Sequence, residues 1–414
     1  MQLTKYSFGV GDRFAHQGKA QLMAIKKAKE NGVIITPVWN KSFREHQIIK
    51  SHPIDTRKEA DLAVRALGWN YPYFVDADHV NLNSVDTFIE SCDFFTIDVA
   101  DYIRVDPNEK DLAEFISRNK SFIGELELCD LSIKLIITEN KIKEIGKKYL
   151  YAIKQAKKIY QRILESKGEN NFVVEISMDE TEFPQSPLEL FLILSAVAEE
   201  GIPAQTIAPK FSGRFNKGID YAGDVQLFKN EFELDLAVLK QAVKLFSLPK
   251  NLKLSIHSGS DKFSIYPSIK ELVKKYDAGL HIKTAGTTWL EELIGLAAAG
   301  GEGLVIAKEI YQKAFDRYDE LCGPYKSVID INLIKLPLPE EVDKWSSDKF
   351  SSTLRHDQSC EDYNPHFRQL LHVSYKIAVE FGKRFVDSLQ KYEGIIAGNV
   401  IDNLYERHIR KIFF

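Results

Sequence analysis

The sequence predicts an α/β protein: a (β/α)8 barrel of the TIM type with a helical insertion after the fourth strand and a C-terminal helical extension. Three observations lead there. Short runs rich in β-branched and aromatic residues recur through residues 1–300, and each is followed by a segment of helical period. There are eight such runs, the number that closes a parallel barrel through right-handed crossovers. The fingerprint of the alternative, an open doubly wound sheet, is missing. Gly9-Val10-Gly11 is followed by Asp12, Arg13 and Phe14 instead of a third glycine, and the pair reads as a tight turn.

The predicted strands, in order, are 6–11, 33–39, 73–78, 94–99, 172–178, 204–208, 252–257 and 280–285. Each is a short apolar or alternating run that ends in glycine or polar residues. The clearest helices are 19–30, 57–67, 187–200, 231–246, 267–276 and 289–299. The interval 101–171 holds about two helices more than a crossover needs, among them a basic helix over 141–167 that reads as a solvated face. Beyond residue 300 the pattern is helical, at 302–322, 366–392 and 395–410, which predicts a helical extension over 301–414 packed on the barrel.

With 55 Lys and Arg against 59 Asp and Glu, the net charge is -4, so bulk electrostatics favour neither nucleic acid nor an anionic membrane. The four cysteines, Cys92, Cys129, Cys322 and Cys360, show no CxxC spacing, which argues against a disulfide framework or a cysteine zinc site and fits a reducing compartment. The longest apolar stretch, 188–198, is about half the roughly 20 residues a spanning helix needs, and Met1 to Phe14, with Lys5, Asp12 and Arg13 among its apolar residues, lacks the continuous apolar run of a signal peptide. A cytoplasmic location is expected. The C-terminal helices also suit a homo-oligomer.

Catalytic residues of a parallel barrel sit at the carboxyl ends of its strands. That register collects Asp12 and Arg13, then Asp76, Asp78 and His79, then Asp98 and Asp101. It continues with Glu175, Asp179 and Glu180, the loop cations Lys210, Arg214 and Lys217, then His257 and Asp261, and finally His281, Lys283 and Thr284. So dense a set of charges describes a working mouth. Alternation in the fifth strand turns Glu175 and Ser177 inward, and an inward carboxylate must be paired or metal-bound. Histidines mixed with carboxylates suit one divalent cation: zinc, nickel, cobalt or manganese. Lys210, Arg214 and Lys217 flank a glycine loop able to hold an anion, or simply a solvated loop. The turn at Lys283 before a helix suits an anion too, although capping by Thr287 or Thr288 explains it equally well. Arg368 and His372 share one helix face and read as packing or subunit contact.

Several ordered motifs carry a resemblance. They are Phe8-Gly9-Val10-Gly11-Asp12-Arg13, Asp76-Ala77-Asp78-His79-Val80, Glu175-Ile176-Ser177-Met178-Asp179-Glu180-Thr181-Glu182, Lys217-Gly218-Ile219-Asp220-Tyr221, His257-Ser258-Gly259-Ser260-Asp261-Lys262-Phe263 and Lys283-Thr284-Ala285-Gly286-Thr287. Together they resemble the tagaturonate epimerase family, from Phe8 into the helices at Arg368 to Tyr375. The resemblance implies a metal-dependent enzyme that interconverts two keto-uronates, tagaturonate and fructuronate, at carbon four. It implies Asp78 as proton acceptor, Glu175 as its partner acid, and His79 and His257 as metal ligands, with His281 or Glu175 completing the shell. Asp12, Arg13, Lys210, Arg214, Lys217 and Lys283 are left to bind the substrate. Typical members carry a further N-terminal region before the first glycine motif, which widens the expected substrate to keto-sugar acids as a class.

Carbon four is too far from the ketone for enolisation to invert it. Its hydroxyl is β to the ketone, however, so cleavage between carbons three and four followed by re-addition does invert it. Two alternatives remain at this point: a metal-dependent aldolase or epimerase of a related keto-sugar acid or ketohexose, and a non-catalytic barrel that binds sugar acids.

Overall fold

The computed structural model describes residues 1–414 except Cys129 and Ala285. One of the four cysteines and the last residue of the eighth predicted strand therefore lie outside the described residues. Eight parallel strands close into a barrel in chain order. They are β1 (Tyr6–Val10), β2 (Ile35–Ser42), β3 (Phe74–Val80), β4 (Phe94–Asp98), β5 (Val173–Ser177), β6 (Thr206–Ala208), β7 (Lys253–Ile256) and β8 (Leu280–Lys283). Closure is made by β8 on β1, with Leu280 opposite Tyr6 and Lys283 opposite Gly9. The strand β2 runs further than its apolar run suggests and sets Asn40 opposite Asp76.

Alternation sorts the strand side chains. Outward residues such as Phe8, Val75, Ile176, Leu254 and Ile282 join the main core against the helices, whereas Leu3, Val38, Phe74, Phe94 and Val173 form a separate apolar cluster. The inward phase then turns polar, with Ser7, Asp76, Thr96, Glu175, Ser255, His281 and Lys283 all buried. Gly9 belongs to this wall rather than to a turn. A Cβ there would lie 2.7 Å from Asn40 Nδ2 and 3.1 Å from Lys283 Cα, so the close approach of β8 and of Asn40 demands glycine.

The interval after β4 holds a helix (Glu109–Asn119), an antiparallel hairpin (Gly124–Glu127 with Lys134–Ile137) that the pattern did not announce, and the helix Glu139–Lys167. This last helix is basic on one face only. Ile142, Tyr149, Ile153, Ala156 and Ile163 are among its buried residues, and it packs on β4 and on the helix Pro187–Glu199. It is the crossover helix itself, extended.

In the C-terminal region, Gly301–Asp316 and Glu393–Asp402 pack on Thr287–Ala299, and a π-helical turn, Asn403–Ile409, precedes Arg410–Phe413. The helical run expected over 366–392 is broken into three, ending at Ser374 and again before Gly382, whose φ is 52°. Among the described residues no helix is long and apolar enough to cross a membrane.

Candidate active site

The site begins at the end of β3. Strict alternation would send Asp78 and His79 to opposite sides, but the β3–β4 register shifts between Ala77 and Val80, and His79 adopts a φ of 55°. A bulge of this kind re-aims a side chain, at a backbone cost of about 1–2 kcal/mol for a non-glycine residue in the left-handed region. Both side chains therefore face the mouth, joined by Nδ1 of His79 and Oδ1 of Asp78 at 2.9 Å.

Across the barrel, β5 contributes Glu175 and Ser177, and the same phase carried past the strand's end contributes Asp179. His257 follows β7 and is held at both ring nitrogens, Nδ1 at 2.9 Å from Asp179 Oδ1 and Nε2 at 2.7 Å from Glu175 Oε1. His79 Nε2 lies 3.3 Å from the same Asp179 oxygen. One ligand atom from each of His79, Asp179 and His257 lies within 4.8 Å of the others.

Below them, Lys283 sits at the hub of an acidic ring. Its amine is 2.7 Å from Asp76, 2.8 Å from Asp78 and 3.0 Å from Glu175, and it also donates to Thr96 Oγ1. Burial opposes its charge, but the three carboxylates outweigh burial and raise its pKa well above the ordinary lysine value. Burial likewise opposes ionisation of Asp78 and Glu175, and Lys283 with the neighbouring histidines holds both well below the usual carboxylate range. Asp76, for which burial prevails over Lys283, rises to about 7. Asp179 is held low against burial by His257, whose own pKa is raised to about 9 by Asp179 against burial. His79 is raised too, by Asp78 and Asp179, again against burial.

These residues fit a divalent cation. Two imidazoles and a carboxylate are the donor set of a catalytic metal site, which leaves a coordination position for substrate. Glu175 Oε2, buried beside them, has no hydrogen-bond partner. A dication that replaced the two imidazole protons would leave the charge of the site unchanged.

The loop carrying His257 is braced from the C-terminal extension. Ser258 and Asp261 have φ of 49° and 61°. Arg368, fully buried on the helix Pro365–Val373, donates to Asp261 Oδ2 at 2.7 Å and to the Gly218 carbonyl at 2.5 Å, tying together the loops after β7 and β6. The Asp261 amide donates to His408 Nε2 at 2.9 Å, which fixes the proton of that ring on Nδ1, where it donates to the Asn403 carbonyl at 2.7 Å.

A sequence profile described as tagaturonate epimerase matches residues 1–411. The chain belongs to the tagaturonate epimerase family. It is an enzyme of the isomerase class. A relative in Thermotoga maritima, a tagaturonate/fructuronate epimerase, is 29% identical over 420 residues, which cover 97% of this chain and 80% of the relative. Two crystal structures of a fructuronate-tagaturonate epimerase from Cohnella laeviribosi share the fold. The native one has a TM-score of 0.82 and 22% identity, and the alignment covers 100% of this chain and 82% of that one. The one with a single glycerol gives 0.79 and 23%, with coverage of 98% and 81%.

Within this member of the tagaturonate epimerase family, the predicted site residues fall into groups. Asp78, His79, Glu175, His257 and Lys283 come together. His281 stands apart from the converging trio, its Nδ1 2.8 Å from Ser7 Oγ and its ring near Phe94, and burial lowers its pKa to about 3. Asp179, which the sequence offered among the strand-end charges but not as a ligand, stands in that trio instead. Its signal was the two-residue phase with Glu175. Asp12 accepts the backbone N–H groups of Phe14, His16 and Gln17, which shapes the entry to the helix Gly18–Glu30. Arg13 lies against Glu45 at 3.3 Å, stacks on Tyr375 and donates to the Gly286 carbonyl. Lys217 reaches Ser258 Oγ at 3.5 Å, next to His257. Arg214 turns away to the Ile329 carbonyl, and the backbone N–H of Lys210 donates to Gln185. The helix Thr287–Ala299 has Gly286 at its N-cap and no side-chain cap.

Proposed function

We propose that the protein interconverts tagaturonate and fructuronate, or a closely related pair of keto-sugar acids, at carbon four with a divalent cation held by His79, Asp179 and His257. The observation that carries this reading is the convergence of those three donors within 4.8 Å, beside two ionised carboxylates, in a chain of this family. When bound, the cation supplies Lewis-acid stabilisation of the negative charge that develops at the ketone, worth several kcal/mol.

The chain's own side chains do the rest. Asp78, ionised, takes the proton of the carbon-four hydroxyl. The bond between carbons three and four breaks, its electrons passing into an enediolate, and carbon four becomes an aldehyde. Rotation of that aldehyde presents its other face, and re-addition leaves an alkoxide that is reprotonated through Glu175, ionised at rest, once the proton taken by Asp78 has passed to it by way of Lys283. Lys283, 2.8 Å from Asp78 and 3.0 Å from Glu175, links the two carboxylates so that the proton taken by one is returned through the other. Arg13 and Lys217 face the uronate carboxylate.

Turnover of tagaturonate in deuterated water tests the route. The expected fructuronate carries no deuterium at carbon four. Stoichiometric deuterium there would contradict bond cleavage, and accumulation of two three-carbon fragments would make the enzyme an aldolase.

A further inference from the structure

The ring of His372 reaches the mouth from the C-terminal extension, one helical turn beyond Arg368 on the helix Pro365–Val373. It is 4% exposed and closed in by two loops that follow barrel strands. A Cβ on Gly218 would lie 3.2 Å from its Cδ2, and one on Gly286 would lie 2.8 Å from its Nε2. Both glycines have positive φ, 74° and 92°, so backbone and ring are fitted to each other at two independent positions. The same virtual Cβ on Gly286 lies 3.0 Å from Arg13 Nη2, which puts the histidine and the guanidinium side by side.

Among the described residues the imidazole has no hydrogen-bond partner. Burial, then Arg13, Lys217 and Arg368, keep it neutral, with its pKa well below the ordinary value. A neutral ring offers one N–H donor, and two cations beside it attract an anion. The carboxyl carbon of a keto-uronate is two carbons beyond carbon four, and Lys217 lies against Ser258, next to His257. The corner formed by Arg13, Lys217 and His372 is therefore cationic and adjoins the loop of His257, which suits it to that carboxylate.

We propose that His372 is a specificity-determining residue that donates a hydrogen bond to the substrate carboxylate alongside Arg13 and Lys217, an inference that rests on the keto-uronate reading of the site. The C-terminal extension then supplies recognition as well as support.

The test compares His372→Phe, which keeps a ring of similar size, and His372→Gln, which keeps a donor, on two compounds. One is tagaturonate and the other is tagatose, its neutral counterpart with CH2OH for the carboxylate, used as substrate or competitive inhibitor. Because both compounds meet the same preparation, their ratio is independent of the folded fraction. His372→Phe is expected to raise KM for tagaturonate about 10- to 100-fold, the loss of a hydrogen bond to a charged group, with kcat and the constant for tagatose little changed; His372→Gln should recover part of the loss. Equal losses on both compounds, or none on tagaturonate, would overturn the proposal while leaving the function intact. Wild-type enzyme inert toward tagaturonate would overturn the functional reading and this proposal together.

Discussion

Lys253 enters β7 with its amine buried, donating to the carbonyls of Thr4 and Lys5. Burial lowers its pKa from 10.5 to about 7. Between those values the unfolded chain holds a proton that the folded chain lacks, so this residue's contribution to stability rises with pH across that window and is at its worst below pH 7. The melting temperature of Lys253→Met relative to the parent is therefore expected to be most favourable at or below pH 7 and to decline by several degrees toward pH 10. Calorimetry over that range checks it, and a constant offset would refute the assignment. At this scale the sequence was most legible where a two-residue phase held. Glu175 turns inward because Val174 and Ile176 turn outward, and Asp179 continues the phase. It was least legible at His79, where a bulge between Ala77 and Val80 overrides alternation. His281 shows the converse. It keeps the inward phase, but its place early in β8 leaves it bonded to Ser7 instead of joining the donors above.

Among the elements, the helix Thr287–Ala299 shows how closely the extension is fitted. Gly295 faces the helix Glu393–Asp402, and a Cβ there would fall 2.6 Å from Ile396 Cγ1 and 2.8 Å from its Cα. A rotamer change relieves the first contact but not the second, which is backbone. Gly295→Ala should therefore destabilise the protein by about 1–3 kcal/mol, despite the gain in helix propensity of about 1 kcal/mol. Chemical denaturation measures this, and a stabilised variant would show that the two helices separate freely. The helical period of Glu139–Lys167 was readable, but its role was not, because its lysines hide the buried stripe of Ile142, Ile153 and Ile163. The hairpin Gly124–Glu127 with Lys134–Ile137 left no signal. Its first strand is mostly exposed, and neither strand exceeds four residues.

For the whole molecule, the closure of eight βα units and the crowding of charge at one end were legible because both follow from local pattern plus one topological rule. The bracing of that end was not. Arg368 meets Asp261 across 107 residues of chain and Gly218 across 150, and no periodicity announces such contacts. The same holds for the meeting of His79, from β3, with His257, after β7, over the Asp179 carboxylate. That meeting is the centre of the account, and it is tested most directly by measuring bound metal and tagaturonate turnover on one preparation, chelated and then titrated with zinc, nickel, cobalt or manganese. The prediction is one cation per chain, a fall in turnover of about 100-fold or more on chelation, recovery at one equivalent, and no tight binding by His257→Ala. Undiminished turnover by enzyme shown to hold no cation would contradict it.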